Sequence, residues 1–220
     1  RGGDFITASG SSEDQRPIAL GSFSVLAGLV TTVDKKDHYT RRHSEDVTEY
    51  AVALAAKLDL SPETQRSLRV AGLLHDVGKV GVPDHILRKP ADLTEAEFEV
   101  IKNHVTVGEL IIQGIPDQEE VLSAVSSHHE RWDGAGYPRG LAGEHIPLLG
   151  RILGVTDAYS AMTTDRPYRR ALSAEEAMAE LKRVAGSQLD PRLVDLFLEV
   201  VEEDVVTEKS RVAVFASGHF

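Results

Sequence analysis

Apolar residues recur along most of this chain at the three- and four-residue spacing of helices that bury one face. The spacing predicts a first helix from about Pro17 to Val33 and a second from about Thr40 to Leu58. Ser61-Pro62-Glu63 is a helix start, with Ser61 as N-cap and proline in the first turn. The third helix, carrying Leu68, Val70, Leu73 and Leu74, should stop near Gly78. Thr94 with Glu97 and Ser173 with Glu176 form capping boxes, and Asp117 with Glu120 resembles one for the helix ending in His128-His129. Gly186 is a C-terminal stop, and Asp190-Pro191 opens the last long helix. Only Val205 to Phe215 has strand-like content. The expected fold is all-α, with residues 1–17 as a linker or the remnant of an upstream domain, 18–203 as the folded domain, and 204–220 as a tail.

Composition narrows the function. Hydrophobic residues make up 41% of the chain, enough for a core, while aromatics are only 5%, which favours helices over a sheet sandwich. The net charge of -11 repels polyanions, so a long nucleic acid is not an expected partner. A small phosphate ligand stays open, because bound cations reverse the field locally. With no cysteine, disulfides and thiolate metal sites are excluded, and any metal must be held by nitrogen and oxygen. The most apolar stretch, Ile18 to Val30, is broken by Gly21, Ser22, Ser24 and Gly28 and is shorter than the roughly 20 residues of a membrane span. Neither a membrane span nor a signal peptide is read, and a cytoplasmic setting is expected. The chain opens on Arg1 rather than methionine, which reads as a piece of a longer protein.

Histidine placement carries the chemistry. His38, His85, His145 and His219 sit in plain contexts. His43 lies within the second helix, His75-Asp76 ends an apolar helix in LLHDVGK, and His104 sits on the helix after Pro90. His128-His129 ends another apolar run in VSSHHE, and Asp157 follows RILGVTD. Each alone reads as an ordinary structural residue. Together, buried polar groups from several helices need partners, and shared cations would satisfy them. Seven ligands exceed the needs of one ion and suit two, about 3.5–4 Å apart. Adjacent helical side chains diverge by about 100°, so one of His75 and Asp76 can bind one ion while the other bridges, and Asp76 is the candidate bridge. Imidazole and carboxylate donors suit Mn, Fe, Co, Ni or Zn, with Fe or Mn favoured by the number of ligands. Such a pair lowers the pKa of a bridging water, and the hydroxide would attack phosphorus in line with the leaving oxygen. Lys79, just beyond Asp76, would donate to a phosphate oxygen or protonate the leaving group; its plain alternative is a solvated lysine at a helix end.

These residues resemble the HD-GYP family of HD-domain metal-dependent phosphohydrolases. The resemblance is carried by His43, HDVGK at 75–79, His104, HHE at 128–130, DGAGYP at 133–138 and Asp157. HYTRRHS at 38–44, VPDHILRKP at 82–90 and DRPYRR at 165–170 add to it, so that it covers roughly residues 20 to 200. It implies a five-helix core extended by further helices, and hydrolysis of cyclic di-GMP to linear pGpG or on to GMP. Carried over by position, His43, His75, Asp76 and Asp157 would hold one metal, and Asp76, His104, His128 and His129 the other. Gly136, Tyr137 and Pro138 would help bind the nucleotide and are also implied to touch partner proteins. The tyrosine would offer a flat surface to a base. Arg166 and Arg169 would hold phosphate, as planar guanidinium groups do well. The alternatives are another HD-type nucleotide phosphohydrolase, or a non-catalytic module that binds cyclic di-GMP. Two positions depart from the family pattern: Tyr39 stands where some members place a third-metal glutamate, and Ser160 where many place an aspartate. Two metals are therefore expected. RGGDFITAS at the start faintly resembles the end of a GGDEF domain, an upstream partner for this module. The helix at 18–33 would transmit its signal, pair with a second copy in a homodimer, or simply join the core.

Overall fold

The computed structural model describes residues 28–33, 36, 40–115, 118–165 and 170–217, with side chains for all of these except 40–42 and 206–217. Eight α-helices follow the short helical stretch at 28–33 among these residues: α1 (Thr40–Lys57), α2 (Pro62–Leu74), α3 (Asp84–Leu87), α4 (Glu95–Gln113), α5 (Glu119–Val125), α6 (Leu148–Thr163), α7 (Ala174–Val184) and α8 (Pro191–Ser217). Tight 3-10 turns lie at Val77–Gly81 and Gly143–His145. The described residues contain no strand, only one isolated bridge between Ala185 and Leu189, so the fold is all-α.

Local chemistry sets most helix starts. Ser61 accepts the Thr64 amide ahead of Pro62. Thr94–Glu97 and Ser173–Glu176 are reciprocal capping boxes, each satisfying two amides that the first helical turn leaves without partners. Asp190 accepts the Arg192 amide at the start of α8 and forms a buried ion pair with Arg151 of α6 at 2.6 Å, tying the two helices. Asp117 lies outside the described residues; α5 begins after Gln118, which makes no side-chain cap bond.

The core is built where α1 packs on α2 and α6, α2 on α5, and α8 on α1, α6 and α7. Leu54, Leu68, Ile112, Ile152, Leu153, Leu181 and Phe197 are fully buried in it. Tyr50, Tyr159 and Phe197 meet edge to face, with centroids 5.2–5.5 Å apart. Val33 at the end of the 28–33 stretch is buried, and Leu29 and Val30 pack against the core, so this described part behaves as a core helix.

Three expectations need correction. The segment Val205 to Phe215 is not a strand; it continues α8. Upstream in the same helix, Leu193, Val194, Phe197 and Val201 are buried in the core, and local strand propensity yields to the helix they begin. α2 stops at Leu74 rather than Gly78, giving way to the Val77–Gly81 turn. His128 and His129 do not end a helix. α5 closes at Val125, and the Ser126 and Ser127 hydroxyls turn back onto the Ser123 carbonyl at 3.3 and 2.6 Å.

Candidate metal centre

The chain returns to one point five times. His43 comes from α1, His75 and Asp76 from the end of α2, His104 from the middle of α4, His128 and His129 from the turn after α5, and Asp157 from α6. His43, His75, Asp76, His104 and His128 are buried. The ligand atoms of His43, His75 and Asp157 lie within 4.8 Å of one another, and so do those of His104, His128 and His129. Asp76 stands between the clusters: its Oδ2 is 3.4 Å from His75 Nε2 and its Oδ1 is 3.7 Å from His104 Nε2. The structure thus brings together all seven residues singled out in the sequence.

Hydrogen bonds fix which nitrogen of each imidazole faces inward. Nδ1 of His75, His104 and His128 lies 2.7 Å from the carbonyl oxygens of Gly72, Ile101 and Val125 respectively. A carbonyl only accepts, so each Nδ1 carries the proton and each Nε2 can present a lone pair. All three Nε2 atoms are buried and without a hydrogen-bond partner. Buried polar atoms are rarely left in that state, and a cation among these nitrogens would satisfy them. His43 follows the same logic. Its Nδ1 is 2.9 Å from Ser160 Oγ, which in turn donates to the His43 carbonyl, and its Nε2 is 3.1 Å from Asp157 Oδ1. Two donors bound at right angles, each about 2.1 Å from one ion, stand about 3 Å apart. The donor set therefore fits divalent metal.

Electrostatics agree. Burial works against charge on both aspartates, yet Lys79 and His75 hold Asp76 well below the ordinary carboxylate range. Asp157 is held low by His43 and His75 against the same burial. Burial lowers His104, lowers His129 to about 4, and with its histidine neighbours drives His128 well down, keeping these imidazoles neutral and ready to bind. His75 moves the other way: burial opposes charge, but Asp76 and Asp157 raise it to about 9. In the metal-free protein a proton occupies part of the place a cation would take.

Lys79 Nζ sits 2.7 Å from Asp76 Oδ2, part-exposed at the rim. Gly136, Tyr137 and Pro138 form a loop over the second cluster, with a cis Tyr137–Pro138 peptide. A Cβ on Gly136 would fall 2.6 Å from Glu130 Cα and from the His129 carbonyl oxygen, so the loop can lie on that backbone only as glycine. The Tyr137 ring does not stand open as a platform: it stacks on His129 at 4.9 Å and meets Phe98 edge-on at 6.2 Å. Burial and the Asp157 and Asp76 charges push its phenol up, so it stays protonated. Arg166, Arg169 and Tyr39 lie outside the described residues.

Two residues escaped the sequence reading. Ser160 appeared there only as a departure from a pattern, yet it sets the ring of His43 across the α1–α6 contact. Glu130, buried next to His129, accepts the amides of Arg139 at 2.8 Å and Leu141 at 2.9 Å, closing the loop that carries Tyr137. A glutamate directly after two site histidines and ahead of a glycine-rich loop was the available signal.

Residues 30–193 match the HD domain family. A cyclic di-GMP phosphodiesterase of Thermotoga maritima is 38% identical over 82% of this chain and 50% of its own length. A cyclic di-GMP phosphodiesterase of Pseudomonas aeruginosa is 41% identical over 90% of this chain and 46% of its own. A 3'3'-cGAMP-specific phosphodiesterase of Vibrio cholerae is 38% identical over 80% and 41%. This chain spans about half the length of these curated relatives, or less. Among solved structures, a cyclic GMP-AMP specific phosphodiesterase of V. cholerae shares the fold, with a TM-score of 0.61 at 21% identity over 82% of this chain and 48% of that one. The HD domain of an L. monocytogenes phosphodiesterase aligns with a TM-score of 0.59 at 16% identity, over 81% of this chain and 95% of that one. No described helix is long and apolar enough to cross a membrane. With its His-Asp pair at 75–76 and its DGAGYP loop, the chain belongs to the HD domain family, in the HD-GYP branch.

Proposed function

We propose that this domain is a cyclic di-GMP phosphodiesterase that opens the dinucleotide ring to give linear pGpG and/or GMP, using two divalent ions, Fe or Mn. The observation that carries the reading is the set of three buried Nε2 atoms without hydrogen-bond partners, those of His75 and His104 lying 3.4 and 3.7 Å from Asp76. One ion would be held by His43, His75, Asp76 and Asp157, the other by Asp76, His104, His128 and His129. When bound, the pair supplies an activated water and neutralises charge on the phosphate.

The chain's own residues supply the rest. The carbonyls of Gly72, Ile101 and Val125 keep three imidazoles in one tautomer and one direction, so little reorganisation remains when substrate arrives. The Lys79 ammonium, next to Asp76 at the part-exposed rim, is placed to meet a non-bridging phosphate oxygen or to hand a proton to the leaving 3' oxygen. Gly136, Tyr137 and Pro138 wall the second cluster from water. Arg166 and Arg169 are assigned to the second phosphate on their sequence context alone. A cytoplasmic setting and an upstream regulatory domain, of GGDEF or sensory type, complete the proposal.

A second reading is favoured by one observation: relatives of equal identity include a 3'3'-cGAMP-specific phosphodiesterase. Turnover of cyclic di-GMP, 3'3'-cGAMP and cyclic di-AMP with Mn²⁺ or anaerobic Fe²⁺, followed by chromatography of the products, separates the two. Preferential cleavage of cyclic di-GMP supports the first. The His75→Ala/Asp76→Ala variant should lose both bound metal and turnover. A wild-type protein that binds these dinucleotides and cleaves none would make it a binding module instead.

A further inference from the structure

His129 is the exception among the site histidines. Ser160 fixes Nδ1 of His43, and backbone carbonyls fix Nδ1 of His75, His104 and His128. Among the described residues no hydrogen bond fixes the His129 ring. It is held by ring contacts: Tyr137 stacked at 4.9 Å and 29°, His128 at 4.0 Å, and His104 edge-on at 5.1 Å. Of these, only Tyr137 lies outside the ligand set.

Tyr137 is itself braced from three sides. Its amide donates to the His129 carbonyl at 3.2 Å, so ring and backbone both register on the same residue. Glu130 holds the amides of Arg139 and Leu141 just beyond it. From α4, the Phe98 ring meets it edge-on at 6.2 Å, and Lys102 Nζ lies 5.7 Å from its centroid. That same helix carries His104, the neighbouring ligand of the second cluster. The first cluster shares no residue with this arrangement.

We infer that Tyr137 is a positioning residue for His129: its ring face sets the imidazole that the second metal site needs, and the Gly136–Pro138 loop therefore governs occupancy of that site alone. The inference rests on the two-ion reading above. A partner or ligand that lifts the loop would empty one site and spare the other. The aromatic face does this work, so the phenol hydroxyl is dispensable for it.

Wild type, Tyr137→Phe and Tyr137→Leu, stripped of metal, should be titrated with Mn²⁺ alone, following free Mn²⁺ by electron paramagnetic resonance. Partners around a ligating histidine typically matter by about 10–100-fold, so Tyr137→Leu should weaken one ion by that factor, with the other ion and both ions of Tyr137→Phe within about threefold of wild type. Phe98→Ala, at an exposed position, should weaken the same ion in the same direction, and it decides the matter if Tyr137→Leu fails to fold. The inference is overturned if the leucine variant keeps both affinities, if both ions weaken alike, or if phenylalanine does as badly as leucine. A wild-type protein holding fewer than two ions would refute the dinuclear reading, and the inference with it. Two ions in wild type with no effect of leucine would refute the inference alone.

Discussion

Gly78 offers a sharp test of how the site is assembled. It lies buried in the Val77–Gly81 turn, which packs on α4 beside His104. A Cβ there would fall 2.6 Å from the Gly108 amide nitrogen and 2.7 Å from the His104 carbonyl carbon, with the His104 oxygen nearer still. Real Cβ contacts are not found under 3.0 Å, and these neighbours are backbone, so the turn and α4 must separate. Overpacking of this kind costs about 1–3 kcal/mol, and the upper end applies because no side chain can rotate away. At about 2–4 °C per kcal/mol for a chain of this size, Gly78→Ala should lower the melting temperature by about 6–12 °C. Any gain from stiffening the unfolded chain is smaller, about 0.4–1 kcal/mol. Gly81 in the same turn is the matched control. Its added Cβ meets nothing nearer than Val107 Cγ2 at 3.4 Å, an ordinary contact, so Gly81→Ala should stay within about 0.5 kcal/mol of wild type. Thermal unfolding of both variants, with Mn²⁺ titration of each, reads the two effects. Equal melting temperatures for the pair, or wild-type Mn²⁺ affinity in Gly78→Ala, would refute the claim that this glycine sets the seat of His104.

Ser160→Ala removes the partner of His43 Nδ1 and should weaken metal at the first cluster by about 10–100-fold while sparing the second; equal loss at both would contradict it. Glu130→Ala strands two loop amides at about 1–3 kcal/mol each, so urea unfolding should show a clear loss, and a change below about 1 kcal/mol would count against the brace. The fold holds His129 at about 4 against 6.5 when unfolded, which favours the neutral ring; this contribution is present above pH 6.5 and is lost as pH falls through about 4, on the order of 3 kcal/mol. A metal-free protein whose urea midpoint rises on acidification over that range would contradict the assignment. His75 has the opposite sign: held at about 9, it must shed a proton to bind metal, so Mn²⁺ affinity should climb from pH 7 to 9, and a flat profile would show that no such proton is displaced.

Much of this was legible because it is local. The capping boxes at Thr94 and Ser173 use residues three apart, and the structure closes both reciprocally. The convergence of the seven histidines and aspartates was legible for a different reason: such residues next to apolar helix faces must be buried, and burial demands partners. What failed depended on distance along the chain. Val205 to Phe215 reads as strand from its own composition, but α8 has already committed its register to the core through Leu193 and Phe197. The stop at Val125 comes from two serine hydroxyls competing with the helix for the Ser123 carbonyl, and two adjacent serines do not announce that. Ser160 reaches His43 across 117 positions, a pairing fixed only when α6 lies on α1.

The site histidines therefore divide by how each is aimed, and the division says where the site can be tuned. His75, His104 and His128 share one device: Nδ1 bonds the carbonyl three residues earlier in the same helix or its end. For His75 and His128 that carbonyl belongs to the last turn of α2 or α5, where helix geometry leaves oxygens without amide partners. The backbone aims these rings, and no side-chain substitution elsewhere removes the acceptor. His43 and His129 lack this device. One borrows a hydroxyl from α6 and the other an aromatic face from a surface loop. One borrowed support serves each cluster. Substitution at Ser160 should thus act on the first ion and loop movement at Tyr137 on the second, giving a centre with a rigid backbone-aimed middle and one adjustable ligand on either side.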